Sequence, residues 1–148
     1  EVLLYVSALL HEVGLYISLH SNHKHAYYII RNSELFGLSQ QELMLVALVA
    51  RYHRRASPQS NHEGYGSLDR HDRVAVAKMA AILRLAIALD DTRSGRIREI
   101  NVTQEGKRLV ISAPGVDDVS LEQIAMRSHS GLFQDIFGKP VLLRPEVK

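Results

Sequence analysis

Residues 69–91 read DRHDRVAVAKMAAILRLAIALDD, and the spacing of their apolar side chains predicts one long helix. Met79, Leu83 and Ala86 follow one another at helical intervals and lead to Asp90 at the C-terminal end of their stripe. Asp91 shares a second line with Arg84 and Ile87, which reads as a more exposed face, so Asp90 is the better inward candidate. The literal pair His71-Asp72 lies in the first turn between Arg70 and Arg73. An acidic group there complements the helix dipole, so the pair is read as a helix start and not as a metal motif.

The same period runs back toward the N-terminus. Residues 2–13 are almost wholly apolar and predict a helix stopped by Gly14, with Leu4, Ala8, His11 and Leu15 on one stripe. Residues 23–32, HKHAYYIIRN, predict a shorter helix. Ser39 followed by Glu42 forms a capping box that opens a helix running to about Arg55, with Leu43, Val46, Ala50 and His53 on one stripe. Beyond residue 96 the pattern changes. Segments 98–103 and 108–113 predict a hairpin around residues 104–107, 117–137 a helix and 140–144 a last short strand. The expected fold is mainly α: a helical bundle over 1–96, followed by a small α+β subdomain over 97–148 packed on it.

Three stripes therefore end in an ionisable residue: His11, His53 and Asp90. A single His on an apolar face is usually a hydrogen-bonded core residue. Several buried ionisable groups must instead converge on one another, on a metal or on an anion, because each is costly alone. Glu12, His23 and His25 enlarge the set, and imidazole with carboxylate suits zinc, iron or manganese. A second cluster, Arg51, Arg54 and Arg55 around His53, fits a helix C-terminus on dipole grounds alone. Its functional reading is a phosphate track, since arginine forks take phosphate oxygens in pairs.

Composition narrows the classes. At 148 residues, with 46% hydrophobic and 23% charged residues, the chain has the make-up of an ordinary globular domain. It has no cysteine, which removes disulfides and thiolate metal sites. No apolar run approaches the roughly 18 residues of a spanning helix, and residues 1–10 lack a signal-peptide pattern. The net charge of +2 is too balanced to point to nucleic acid. The expectation is a cytoplasmic protein with neither membrane nor nucleic acid as partner. Because the chain opens directly into helical pattern, it reads as a piece cut from a longer protein.

Larger motifs carry a resemblance. His11-Glu12-Val13-Gly14 resembles the His-Asp-x-Gly signature of HD phosphohydrolases, with Asp90 as the later helical Asp. LLHEVG (9–14), HKHAYYIIRNSELFGLS (23–39), ARYHRR (50–55) and LRLAIALDDTR (83–93) resemble the C-terminal region of the exopolyphosphatase/guanosine-pentaphosphate phosphohydrolase (Ppx/GppA) family. GLFQDIFGKPV (131–141) fits it more loosely.

The resemblance implies an HD-type helical bundle, and it places the polyphosphatase chemistry in N-terminal actin-like domains that nothing in this chain resembles. No GxxxxGK[ST] loop is present. It further implies an accessory or regulatory domain that binds polyphosphate or phosphate and packs against those phosphatase domains or in a homodimer. A live HD site would hold a divalent metal on His11, Glu12, His25, His53 and Asp90. Phosphate would meet His23, Lys24, Arg51, Arg54, Arg55 and Arg93, with Arg31 near them. Two departures count against an active HD enzyme: Glu12 stands where the Asp belongs, and no His precedes the pair on an earlier helix. The alternatives are an active metal-dependent HD phosphohydrolase acting on a nucleotide or phosphoester, and a purely structural interaction module.

Overall fold

Ser39 and Glu42 close their capping box in both directions: Ser39 Oγ accepts from the Glu42 N–H and Glu42 Oε1 from the Ser39 N–H, each at 3.1 Å. The computed structural model in which this is seen describes residues 1–35, 37–54 and 57–146. Among the described residues up to 89 there are four helices and a short 3-10 segment: α1 (Val2–Leu10), the 3-10 helix Val13–Tyr16, α2 (Asn22–Arg31), α3 (Gln40–Arg51) and α4 (Arg70–Leu89). In α3 Leu43 and every residue from Leu45 to Ala50 are buried, so it is the central helix. A helix this short is marginal alone. Burial of each large apolar side chain, at about 1.5–3 kcal/mol, holds it in place. Both α1 and α2 pack on α3, and the 3-10 helix packs on α2.

Contacts divide the chain into two units, Glu1–Leu83 and Arg84–Lys148, with the division inside α4 and ahead of the change of sequence pattern at residue 97. The second unit contains β1 (Asn101–Glu105), β2 (Arg108–Pro114), α5 (Ser120–His129), α6 (Gly131–Phe137) and β3 (Val141–Glu146). The sheet has the order β1-β2-β3; β1 pairs antiparallel with β2, and β3 parallel to it. That parallel pairing requires a crossover, which α5 and α6 supply. α5 rests on β3, where Gln123 Nε2 donates to the Leu143 carbonyl at 2.9 Å. The hairpin is tighter than expected: Glu105 pairs with Arg108, leaving a two-residue turn with Gly106 at φ +62°.

Three helices end earlier than expected from the sequence. The first stops at Leu10, because His11 turns its side chain back onto the Ala8 carbonyl and a 3-10 helix follows. Gly14 therefore does not act as a left-handed stop. It lies where a Cβ would stand 2.0 Å from the Asn22 carbonyl oxygen and 2.6 Å from the Ala26 nitrogen, so its role is the close approach of two backbones. The third helix stops at Arg51, with Tyr52 as its cap. The segment expected as one helix over 117–137 breaks at Ser130-Gly131, a weak helical pair. Among the described residues, no helix is long and apolar enough to cross a membrane.

The inward stripe of α4 also differs from the expected one. Its buried residues include Val76, Ala77, Ala80, Ala81, Arg84 and Ala88. The line Met79, Leu83, Ala86, Asp90 lies at the margin of that arc, so Leu83 is buried while Ala86 and Asp90 are exposed. Arg84, expected on the exposed side, is 8% exposed.

Candidate functional site

Two of the three stripe-ending residues meet. The rings of His11 and His53 contact edge to face with centroids 5.1 Å apart. His11 Nδ1 donates to the Ala8 carbonyl at 2.6 Å, and His53 Nδ1 donates to that of Ala50. A carbonyl can only accept, so each ring, in its neutral form, carries its proton on Nδ1 and leaves a lone pair on Nε2. His11 Nε2 stands 3.7 Å from Glu12 Oε1.

His53 is 4% exposed. Burial is the main cause that pushes its pKa down to about 4; His11, Arg54 and His23 add to the lowering, and the Ala50 hydrogen bond opposes it. His23, itself buried at the start of α2, thus belongs to the same cluster. His25, two residues along, lies on a different side of that helix.

This cluster supplies two oriented imidazoles but not a three-ligand metal grouping. Among the described residues, the group offering three ligand atoms within 4.8 Å of one another is Asp69, His71 and Asp72. Those residues form the start of α4. Asp69 Oδ1 accepts from the Asp72 N–H at 2.8 Å, and Asp72 Oδ2 accepts from Gln41 at 2.7 Å. Capping and the flanking Arg70 and Arg73 account for the group. Among the described residues, His11, Glu12, His25 and His53 do not converge to such a spacing.

Asp90 and Arg93 belong to the second unit. Asp90 Oδ1 accepts from the Gly95 N–H at 3.2 Å, and the Arg93 N–H donates to the Asp90 carbonyl at 2.9 Å, closing the turn after α4 with Arg93 at φ +54°.

The cationic residues assemble differently. The Arg51 guanidinium lies over the rings of Tyr27 and Tyr52, 5.5 and 5.8 Å from their centroids. Arg31 donates from Nη1 to Tyr27 Oη and to Glu63 Oε1, both at 3.0 Å. With Lys24, Tyr28 and Asn32 these groups line an open pocket of about 520 Å³. Lys24 and Arg51, expected to bind phosphate, therefore share one pocket. Arg54 acts on His53, and Arg55 lies outside the described residues. Tyr27, Tyr28 and Arg31 were legible as a line on α2 with Lys24, at helical spacings of three and four. Glu63 comes from an irregular loop and carried no periodic signal.

That loop is braced on α3. Tyr52 Oη and His62 Nδ1 share a hydrogen bond of 2.6 Å, and Tyr52 meets Tyr65 edge to face at 5.8 Å. Burial pushes the Tyr52 pKa up to about 12. Burial also lowers that of His62, helped by Arg51 and Lys24. The pair is therefore neutral at pH 7.

Comparison with known proteins agrees with the motifs. A family profile described as Ppx/GppA phosphatase, domain III, matches residues 1–124. A guanosine-5'-triphosphate,3'-diphosphate pyrophosphatase of Pseudoalteromonas translucida (strain TAC 125) is 33% identical over 87 residues, 59% of this chain and 17% of that protein. The protein of the same name from Vibrio parahaemolyticus serotype O3:K6 (strain RIMD 2210633) is 27% identical over 115 residues, 76% of this chain and 22% of that protein. The chain thus spans about a fifth of the length of these relatives. With the profile covering most of its length, the chain belongs to the Ppx/GppA phosphatase family, as its domain III.

Proposed function

We propose that this chain is an accessory domain of an exopolyphosphatase-type phosphatase, binding polyphosphate or phosphate without carrying the main hydrolytic chemistry. The observation that carries this reading is the pocket where Lys24, Arg31 and Arg51 face one cavity beside two tyrosine rings. Arginines there offer planar forks to phosphate oxygens, and several in a row suit a chain of phosphates better than a single one. Relatives named for a nucleotide bearing tri- and diphosphate groups fit the same ligand chemistry. Arg54 and His23, which both act on His53, are further phosphate donors in this reading.

The test is titration of the chain with inorganic polyphosphate over a salt series. Affinity should fall with rising salt, and K24A with R51A should lower it about tenfold or more, as expected for two charge-assisted contacts. No binding at low salt would remove the polyphosphate reading.

The first unit reads as an HD-type bundle whose metal site has degenerated, with His11 and His53 kept as a ring pair. Val2, Tyr5 and Leu9 line one side of α1 and are 67–68% exposed. Such a stripe supports packing against the phosphatase domains of the same protein or against a second subunit. A cytoplasmic location belongs to the same reading. The alternative, an active metal-dependent HD phosphohydrolase, draws on the two Nδ1-anchored imidazoles, since metal-ligating histidines are oriented in this way. Elemental analysis of protein purified without added metal decides it: stoichiometric transition metal is required.

A further inference from the structure

The Lys24–Arg31–Arg51 pocket already receives an anion from its own chain. Glu63 Oε1 reaches Arg31 Nη1 at 3.0 Å, and Glu63 shares the lining of the cavity with the three cations. Its position is set by the backbone. Gly64 follows at φ +81°, a conformation that favours glycine, and a Cβ there would stand 2.7 Å from Tyr27 Oη and 3.3 Å from Met44 Sδ.

The loop is pinned on both sides of Glu63. His62 is bonded to Tyr52, its N–H donates to the Gln59 carbonyl at 3.0 Å, and its own carbonyl accepts from the Gly66 N–H at 3.0 Å. Ser67 Oγ donates to the Gly64 carbonyl at 2.8 Å. The carboxylate is thus presented to the pocket by a braced loop, while its side chain remains 75% exposed and able to swing out.

We propose that Glu63 is a built-in competitor for the anion pocket, holding Arg31 until a chain of phosphates displaces it; this rests on the pocket being a phosphate site. One carboxylate oxygen on an exposed arginine is a weak contact, equivalent to at most about fivefold in affinity. A phosphate chain engages Arg31, Arg51 and Lys24 together and so outcompetes it. Displacement needs only a side-chain rotation, because the braces lie on the backbone and on neighbouring residues.

The experiment is titration of inorganic polyphosphate against the wild-type chain, E63Q, R31Q and the double variant, with E63A as a second removal of the charge and circular dichroism to check folding. E63Q and E63A should bind about two- to fivefold tighter than wild type, and the gain should vanish in the R31Q background. Equal affinities of wild type and both Glu63 variants overturn the competitor while leaving the phosphate pocket standing. An equal gain with and without Arg31 also overturns it, since Glu63 would then act by general repulsion. Absence of binding by every variant overturns both readings.

Discussion

The ring of His11 meets that of His53 edge to face at 5.1 Å, and each ring is anchored through Nδ1 to a carbonyl three residues back in its own chain. The shared anchoring orients both rings and, in the neutral form, puts the proton on Nδ1. A proton added to His53 would place a charge against the His11 ring at a position only 4% exposed.

Acid should therefore weaken the fold through His53. Its pKa is about 4 in the folded chain against 6.5 for an ordinary histidine. Between those values the unfolded chain binds the proton and the folded chain does not, so stability rises with pH across the window. It is complete above about pH 6.5 and is lost as pH falls toward 4, by an amount on the order of 3 kcal/mol. Urea unfolding at pH 7, 5.5 and 4.5 should show this slope in the wild type and a flatter one in H53N. An unchanged slope in H53N would assign the acid sensitivity elsewhere.

The helical period put His11 and His53 on stripes that do meet, although only His53 is fully buried: the His11 side chain is 19% exposed and Ala8 of its stripe is exposed. It failed for Asp90, whose stripe runs along the edge of the α4 arc, where one turn suffices to carry a side chain into solvent. The capping box was legible because Ser39 and Glu42 satisfy each other locally. The Arg31–Glu63 contact was not, since it joins a helix to a loop shaped by glycines and by Tyr52, His62 and Tyr65. Glycine itself was ambiguous: Gly14 looked like a helix stop, yet it serves the approach of two backbones.

Replacement of Gly14 by alanine should separate those roles. A Cβ at 2.0 Å from the Asn22 oxygen meets backbone, which cannot rotate away, so the 3-10 helix and α2 must part. A loss of about 1–3 kcal/mol is expected from such overpacking. Thermal unfolding measures it. A neutral or stabilising effect, as when alanine replaces an unstrained glycine, would show that the approach is looser.

The capping box predicts a smaller effect. Ser39→Ala leaves the Glu42 N–H without its side-chain acceptor and should cost about 1 kcal/mol in denaturant unfolding. Ser39→Asp, which keeps an acceptor and adds a favourable charge at a helix N-terminus, should restore most of it. Equal losses from both would mean that Ser39 matters for something other than its oxygen.

In the second unit the Arg96–Glu122 pair predicts an asymmetry. Glu122 is 1% exposed and Arg96 42%, with Nη2 and Oε1 2.6 Å apart. Among the described residues, Glu122 Oε2 has no hydrogen-bond partner. Removing the arginine strands a buried carboxylate, whereas removing the carboxylate leaves an arginine already half in water. Arg96→Ala should therefore cost about 3 kcal/mol, and Glu122→Met, which fills the same space with apolar atoms, should change stability by about 1 kcal/mol or less. Both are read from urea unfolding of the whole chain at pH 7. If the methionine variant is the worse of the two, the carboxylate is a net stabilising element and the expected ordering fails.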